Sequence, residues 1–316
     1  MNPLRTLARW ILAERPSRPT VLGRAREYGR DVQPCHTVAP PSALPRRPLT
    51  VGELLDAAAQ LVRNRAVILL PVAALFAIAE QAILYPLRVA LGVDFLNGFD
   101  DGFWETMGAL WVVMAIGCGL EAMIITFLGT RTGVLAAQDL AATPAAPRAL
   151  LRPRWRDAGA LTIAAPAAAV CTAIGAFLGP LWVLGYGLFG MAGAAMGLER
   201  RGAFRGLGRA AGMAFRNGMR AIWVRTLGYA AWLLLRLGFF IGMLALFDQL
   251  PLTDTAQAWS ITAGFVIANS AAYLYLAALD AAALAEGRFR SEGLDIWLSR
   301  AQRHAPLTPE SVVASR

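Results

Sequence analysis

The sequence predicts an all-α fold, a polytopic membrane bundle of six transmembrane helices with amphipathic interfacial helices on the cytoplasmic side. Three observations predict it. The chain is 57% hydrophobic and only 16% charged, with a mean hydropathy of +0.49, which excludes an ordinary soluble domain. Six apolar runs are each near or above the roughly 18 residues a helix needs to cross about 30 Å of hydrocarbon. Apart from Arg88, which directly follows the first run, arginines outside the runs fall only into every second gap between them.

The runs are Ala66 to Leu87, Met107 to Leu128, Ala158 to Leu178, Leu181 to Leu198, Ala221 to Phe247 and Ala258 to Leu284. Before the first stand Arg46, Arg47, Arg63 and Arg65. The second gap holds Arg131, Arg148, Arg152, Arg154 and Arg156, the fourth Arg200, Arg201, Arg205, Arg209, Arg216 and Arg220, and the tail Arg288, Arg290, Arg300 and Arg303. Asp94 to Glu105, Gly179 to Pro180 and Asp248 to Asp254 carry no arginine. Positive charge is retained inside, so both termini are expected in the cytoplasm of a bacterial inner membrane.

Residues 1–48, rich in arginine and proline, read as a disordered cytoplasmic arm rather than a domain. Arg5, Arg9, Glu14 and Arg15 interrupt the apolar core a signal peptide would need, so the first span is expected to serve as the insertion signal. Residues 49–303 form the membrane domain, and 304–316 a disordered tail.

Just before the first span, Thr50 and Glu53 fit a capping box. Val51, Leu54, Leu55, Ala58, Leu61 and Val62 share one side of the helix that follows, which predicts a helix lying flat on the cytoplasmic surface. In the fourth gap Arg201, Arg205, Arg209, Arg216 and Arg220 project within an arc of about 100°, opposite Phe204, Leu207, Ala211, Ala214 and Phe215. That pattern predicts a basic interfacial helix binding anionic phospholipid. The net charge of +9 belongs to these membrane-flanking arginines, so nucleic acid is not an expected partner.

Within the spans, Gly175 and Gly179, Gly193 and Gly197, and Gly238 and Gly242 stand at GxxxG spacing, which permits close helix contact. Gly185, Gly187 and Gly190 match GxGxxG, but inside an apolar run with no strand before them they read as packing glycines. Pro71, Pro86 and Pro166 are expected to kink or start helices, and Gly179-Pro180 to turn between spans three and four.

Three ionisable residues lie deep in spans: Glu80, Glu121 and Arg236. Each costs at least about 2.5 kcal/mol in hydrocarbon and so must face the bundle and find a partner. Glu80 is 15 residues past Arg65 and Arg236 is 16 past Arg220, whereas Glu121 is 10 from Arg131; at about 1.5 Å per residue this matches Glu80 with Arg236 in depth. A Glu80–Arg236 pair is the expectation. Arg88 and Asp280 are near enough to the interfaces to snorkel.

Cys35, Cys118 and Cys171 make no disulfide or zinc pattern, and His36 and His304 lie outside the spans, so neither metal nor cofactor is expected. There is no HExxH and no nucleophile with a base beside it, which argues against an enzyme.

Two segments carry a family resemblance: Arg47-Pro-Leu-Thr-Val-Gly-Glu-Leu-Leu-Asp56, and Gly197-Leu-Glu-Arg-Arg-Gly-Ala-Phe-Arg-Gly-Leu-Gly-Arg209. Both resemble the bacterial glycerophosphoryl diester phosphodiesterase membrane-domain family. The close Arg288-Phe-Arg-Ser-Glu-Gly-Leu-Asp-Ile296 is similar to that of stand-alone actinobacterial members. The resemblance implies a helical membrane module without the soluble hydrolase barrel, whose carboxylate and histidine set this chain lacks. The expected function is therefore a non-enzymatic integral membrane module that organises lipids or protein partners, among them other membrane proteins or a second copy. The alternative is a small-solute or ion transporter or channel subunit using Glu80, Glu121 and Arg236.

Overall fold

Thr50 starts the first helix as the capping box requires: its hydroxyl accepts from the Glu53 N–H at 3.3 Å, and the Glu53 carboxylate accepts from the Thr50 N–H at 2.7 Å. The computed structural model describes residues 43–93, 103–142, 155–216, 218–247, 249–250 and 253–314. Its helices are α1 (Val51–Arg63), α2 (Ala66–Ala90), α3 (Phe103–Leu140), α4 (Trp155–Phe177), α5 (Trp182–Phe189), α6 (Ala192–Glu199), α7 (Ala203–Phe215), α8 (Arg220–Phe247), α9 (Asp254–Glu292), α10 (Leu294–His304) and α11 (Pro309–Ala314). A short 3₁₀ turn over Gly179–Leu181 precedes α5. There is no strand among the described residues, and six segments among them are long and apolar enough to cross a membrane. The chain is a multi-pass helical membrane protein.

Helices α3 and α9 outrun their apolar runs. Thirty-eight and 39 residues long, they span about 57 Å each, nearly twice the hydrocarbon thickness. Beyond the α3 run, Leu135, Ala136, Ala137 and Leu140 continue a buried stripe, so polar residues between them are carried on a helix whose apolar face is covered by protein. α3 packs along α2, α4, α6 and α9, and α9 packs along α1, α2, α3 and α8. Pro71, Pro86 and Pro166 lie inside unbroken helices rather than starting them.

The fourth span is broken between α5 and α6. Of the paired glycines, Gly193 and Gly197 bring α6 against α3: a Cβ on either would stand 2.1 Å from the carbonyl oxygen of Thr126 or Thr130. Gly175 lies close to Leu181, whose carbonyl oxygen would stand 2.8 Å from its Cβ, and Gly179, at φ +76°, makes the expected turn. Gly238 and Gly242 differ, since nothing lies within 4 Å of a Cβ at either. They face outward on α8 and join no helix pair among the described residues.

Two expectations about the polar ends, a disordered arm to residue 48 and a disordered tail from 304, are corrected. α1 sets its apolar face on protein: Leu54, Ala57, Ala58 and Leu61 are buried in a core shared with α9 residues such as Leu279 and Leu284, and the Tyr275 hydroxyl donates to the Leu55 carbonyl at 3.1 Å. The last residues of the arm are not free either, since Ala43 and Leu44 are buried and their N–H groups donate to the Asp139 carboxylate at 3.0 and 2.8 Å. The tail is docked in the same way: α11 buries Val312, and Glu310 pairs with Arg200 at 2.7 Å. Apolar side chains within segments of high average polarity hold each in place. The expected disorder of 1–42, and the acidic gap over 94–102, lie outside the described residues.

Candidate functional site

α8 and α9 run antiparallel, and each carries polar residues with the same spacing: Arg225, Tyr229 and Arg236 on α8, Asn269, Tyr273 and Asp280 on α9. Positions i, i+4 and i+11 fall on one helix face, so each helix presents a polar stripe to the other along about 16 Å. The two ends of the paired stripes build two polar centres in the bundle.

The inner centre gathers all three charges singled out from sequence, but not in the expected pairing. Arg236 Nη1 donates to Glu121 Oε1 at 2.5 Å, and the Tyr229 hydroxyl donates to Glu121 Oε2 at 2.7 Å. Glu80 is 3% exposed and has no guanidinium within salt-bridge reach among the described residues; its Oε2 lies 2.6 Å from the Tyr273 hydroxyl and 3.2 Å from Asn269 Nδ2. The Tyr273 oxygen is also 3.2 Å from Glu121 Oε1, so one phenol bridges two carboxylates. The guanidinium sits over the rings of Tyr229 and Tyr273, 5.7 and 5.4 Å from their centroids. Arg236 Nε and Nη2 and Asn269 Oδ1 have no hydrogen-bond partner among the described residues.

The Glu80–Arg236 pair is thus replaced by Glu121–Arg236. The depth argument failed because it counted from Arg131 as though that residue marked the end of its helix. α3 runs nine residues further, so Glu121 lies deeper than the count placed it. An arginine marks the membrane boundary only where lipid, rather than protein, surrounds its helix.

The outer centre was not legible as a site. Arg225 is fully buried, and its Nε donates to Asp280 Oδ1 at 2.5 Å. Its Nη1 donates to the carbonyls of Gly187, at 3.0 Å, and of Tyr186. These carbonyls stand where the fourth span breaks and helical donors run out, so the guanidinium satisfies the C-terminal end of α5 inside the bundle. Gly190 makes the room: a Cβ there would lie 1.5 Å from Arg225 Nη2. Asp280 is 1% exposed and does not snorkel, and Arg88 is likewise buried, donating to Gln81 Oε1 at 3.1 Å. The glycines of the GxGxxG match are packing residues, seated on Cys171, Ile222 and Arg225.

At the arginine-rich end, most of the residues assigned to lipid are engaged with the protein's own acids. Arg201 pairs with Glu199, Arg209 with Glu199 at 2.7 Å and Glu292 at 2.5 Å, Arg216 with Glu292 at 3.0 Å, and Arg220 with Glu286 at 3.5 Å. Arg220 and Arg290 also both donate to the buried Leu49 carbonyl at 2.9 Å. Glu199 and Glu292 hold the Arg209 guanidinium above its ordinary pKa against the opposing effect of burial. Arg205 remains exposed. The single helix expected from Arg201 to Arg220 does not form: α7 ends at Phe215, and positive φ at Gly218 and Met219 redirects the chain before α8. The two-faced reading of its aromatics also changes, because Ala203, Gly206, Ala210, Met213 and Ala214 face the protein while Phe204 and Phe215 are exposed.

No group of three or more His, Cys, Asp or Glu side chains able to hold a metal occurs among the described residues. The inner centre is therefore the candidate site: two carboxylates, one guanidinium and two phenols, joined by hydrogen bonds in the middle of the spans. No family model, no curated protein and no solved structure matches this chain, so its function rests on this geometry.

Proposed function

We propose that the chain is a small-solute or ion transporter, or a channel subunit, working through Glu80, Glu121 and Arg236. One observation carries this reading: two buried carboxyl groups, bridged by one phenol, stand beside a single guanidinium that pairs with Glu121 alone. A pair that served only to choose helix neighbours would need one acid, and a second buried carboxyl, ionised or neutral, is costly without serving that packing. An ionisable group in excess of structural need, placed within the spans, is what a conducting or coupling site requires. The setting we assign is the bacterial cytoplasmic membrane with both termini inside, because Arg209, Arg216, Arg220 and Arg290, from α7, the turn after it, the start of α8 and the end of α9, gather at one end of the bundle.

Purified protein in liposomes carrying an internal pH-sensitive dye tests the reading under imposed gradients of protons, alkali cations and small solutes. Wild-type flux for at least one of these, reduced at least tenfold in Glu121→Gln, is the expected result. Equal traces for wild type, Glu121→Gln and empty liposomes would refute it.

A second reading, the non-enzymatic module organising lipids or partners, keeps one supporting observation. Phe204 and Phe215 are 77% and 57% exposed on one stripe of α7, beside exposed Arg205 and Trp223 at the start of α8. Aromatics level with a cation at a span's end suit an anionic lipid interface. The four other arginines, held by internal acids, contribute little to it.

A further inference from the structure

We infer that the inner centre binds one proton, held on Glu80 and exchangeable with Glu121 through the Tyr273 hydroxyl. This rests on the transport reading only for its purpose; the proton itself follows from hydrogen counting. The Tyr273 oxygen is 2.6 Å from Glu80 Oε2 and 3.2 Å from Glu121 Oε1. A phenol has one proton and donates one hydrogen bond. If both carboxylates were ionised, one of these contacts would set lone pairs against a negative oxygen in a water-poor interior. A proton on one carboxyl turns both contacts into hydrogen bonds.

The surroundings decide which carboxyl carries it. From α8, Arg236 and the Tyr229 hydroxyl both donate to Glu121, one of them with full charge. From α9, Glu80 meets the neutral Tyr273 and Asn269. From α3 it faces Glu121, with Cys118 beside Tyr229. On its own helix the nearest cation, Arg88, is turned to Gln81. Glu121 is accordingly the anion paired with Arg236, and Glu80 is the neutral acid, which leaves the centre without net charge. The Glu80 O–H donates to Tyr273, and the Tyr273 O–H donates to Glu121.

Asn269 suits a group that changes protonation. Its Nδ2 donates to Glu80 Oε2, an oxygen that accepts both as a carboxylate and as a carboxylic acid, so the contact survives the change. Transfer balances in one step: the Glu80 proton passes to the phenol oxygen as the phenol proton passes to Glu121. Glu80 is then the carboxylate and Glu121 the acid. Arg236 loses its ionised partner, and its idle Nε and Nη2 are the donors able to answer the charge on Glu80. Proton position and guanidinium contacts are thereby coupled, with no third residue needed between them.

Infrared difference spectroscopy on the full chain in detergent, titrated from neutral to alkaline pH, tests this without any gradient. The expected result is a protonated-carboxyl carbonyl band at neutral pH that shifts in heavy water, is lost in Glu80→Gln and moves in frequency in Tyr273→Phe. No such band, or one unchanged in both variants, would overturn the inference. Should Glu80→Gln fail to fold, the Tyr273→Phe shift decides alone. Loss of the band on adding sodium chloride at constant pH would assign the site to an alkali cation and overturn the proton. The band without liposome flux would sink the transport reading and leave the proton site standing, whereas flux without the band would do the reverse.

Discussion

Arg225 Nε donates to Asp280 Oδ1 at 2.5 Å where both side chains are sealed from solvent, and the same guanidinium holds the carbonyls at the broken end of α5. One cation therefore joins three segments: α8, α9 and the first half of the fourth span. Taking one partner away strands a buried charge, which typically costs about 3 to 5 kcal/mol, whereas replacing both with apolar residues is near neutral for the pair itself. Here the carbonyls of Tyr186 and Gly187 also lose their donor.

Arg225→Leu and Asp280→Leu are therefore both expected to lower thermal stability in detergent sharply, and the double mutant to recover only part of the loss. Gly190→Ala should be as damaging in wild type, because the new methyl occupies the place of Nη2. In an Arg225→Ala, Asp280→Ala background that cost should disappear, because a simple glycine-to-alanine change in a helix is neutral or stabilising by up to about 1 kcal/mol. Equal cost in both backgrounds would show that the guanidinium is not what Gly190 accommodates.

The inner pairing is tested by a second cycle. Arg236→Leu should cost about 3 to 5 kcal/mol, and adding Glu121→Leu should restore most of it. Adding Glu80→Leu instead should restore little, since Glu80 has no ion pair to Arg236. Rescue by Glu80→Leu equal to that by Glu121→Leu would mean that the two acids share the guanidinium evenly.

The glycine pairs should separate cleanly. Gly193→Ala and Gly197→Ala drive a methyl into backbone oxygens of α3, and overpacking of this kind costs about 1 to 3 kcal/mol or more. Gly238→Ala and Gly242→Ala meet open space and should be neutral or stabilising by about 0.5 to 1 kcal/mol. Melting curves of the four variants check this. A large loss at Gly238 or Gly242 would point to a partner helix from another chain.

At the arginine-rich end, Arg209→Gln should reduce stability because it removes a half-buried cation that pairs with both Glu199 and Glu292, while Arg205→Gln should leave it unchanged. Co-purified acidic lipid, measured by mass spectrometry, should fall with Arg205→Gln and with Phe204→Ser, Phe215→Ser. It should not fall with Arg216→Gln, whose charge already answers Glu292. Equal lipid loss in all three would return the arginines to the lipid-binding role expected from their spacing.

Much of the fold was legible because its causes are local. Apolar length makes a span, the alternation of arginine-bearing and arginine-free gaps sets which ends belong together, and the Thr50–Glu53 cap is a contact between residues three apart. Glu80, Glu121 and Arg236 stood out for the same reason: a charge in an apolar run is costly wherever its partner lies. Their pairing was not legible, because depth along a helix depends on where that helix ends, and α3 ends where protein contact stops rather than where hydropathy falls. The basic stripe failed in the same way, since helical projection places arginines on a face but says nothing of Glu199 and Glu292 waiting across it. Asn269, Tyr273 and Asp280 had a readable signal in their spacing, which repeats that of Arg225, Tyr229 and Arg236. Reading it as one site required knowing that α8 and α9 lie antiparallel in that register, and long-range packing between separate segments alone decides that.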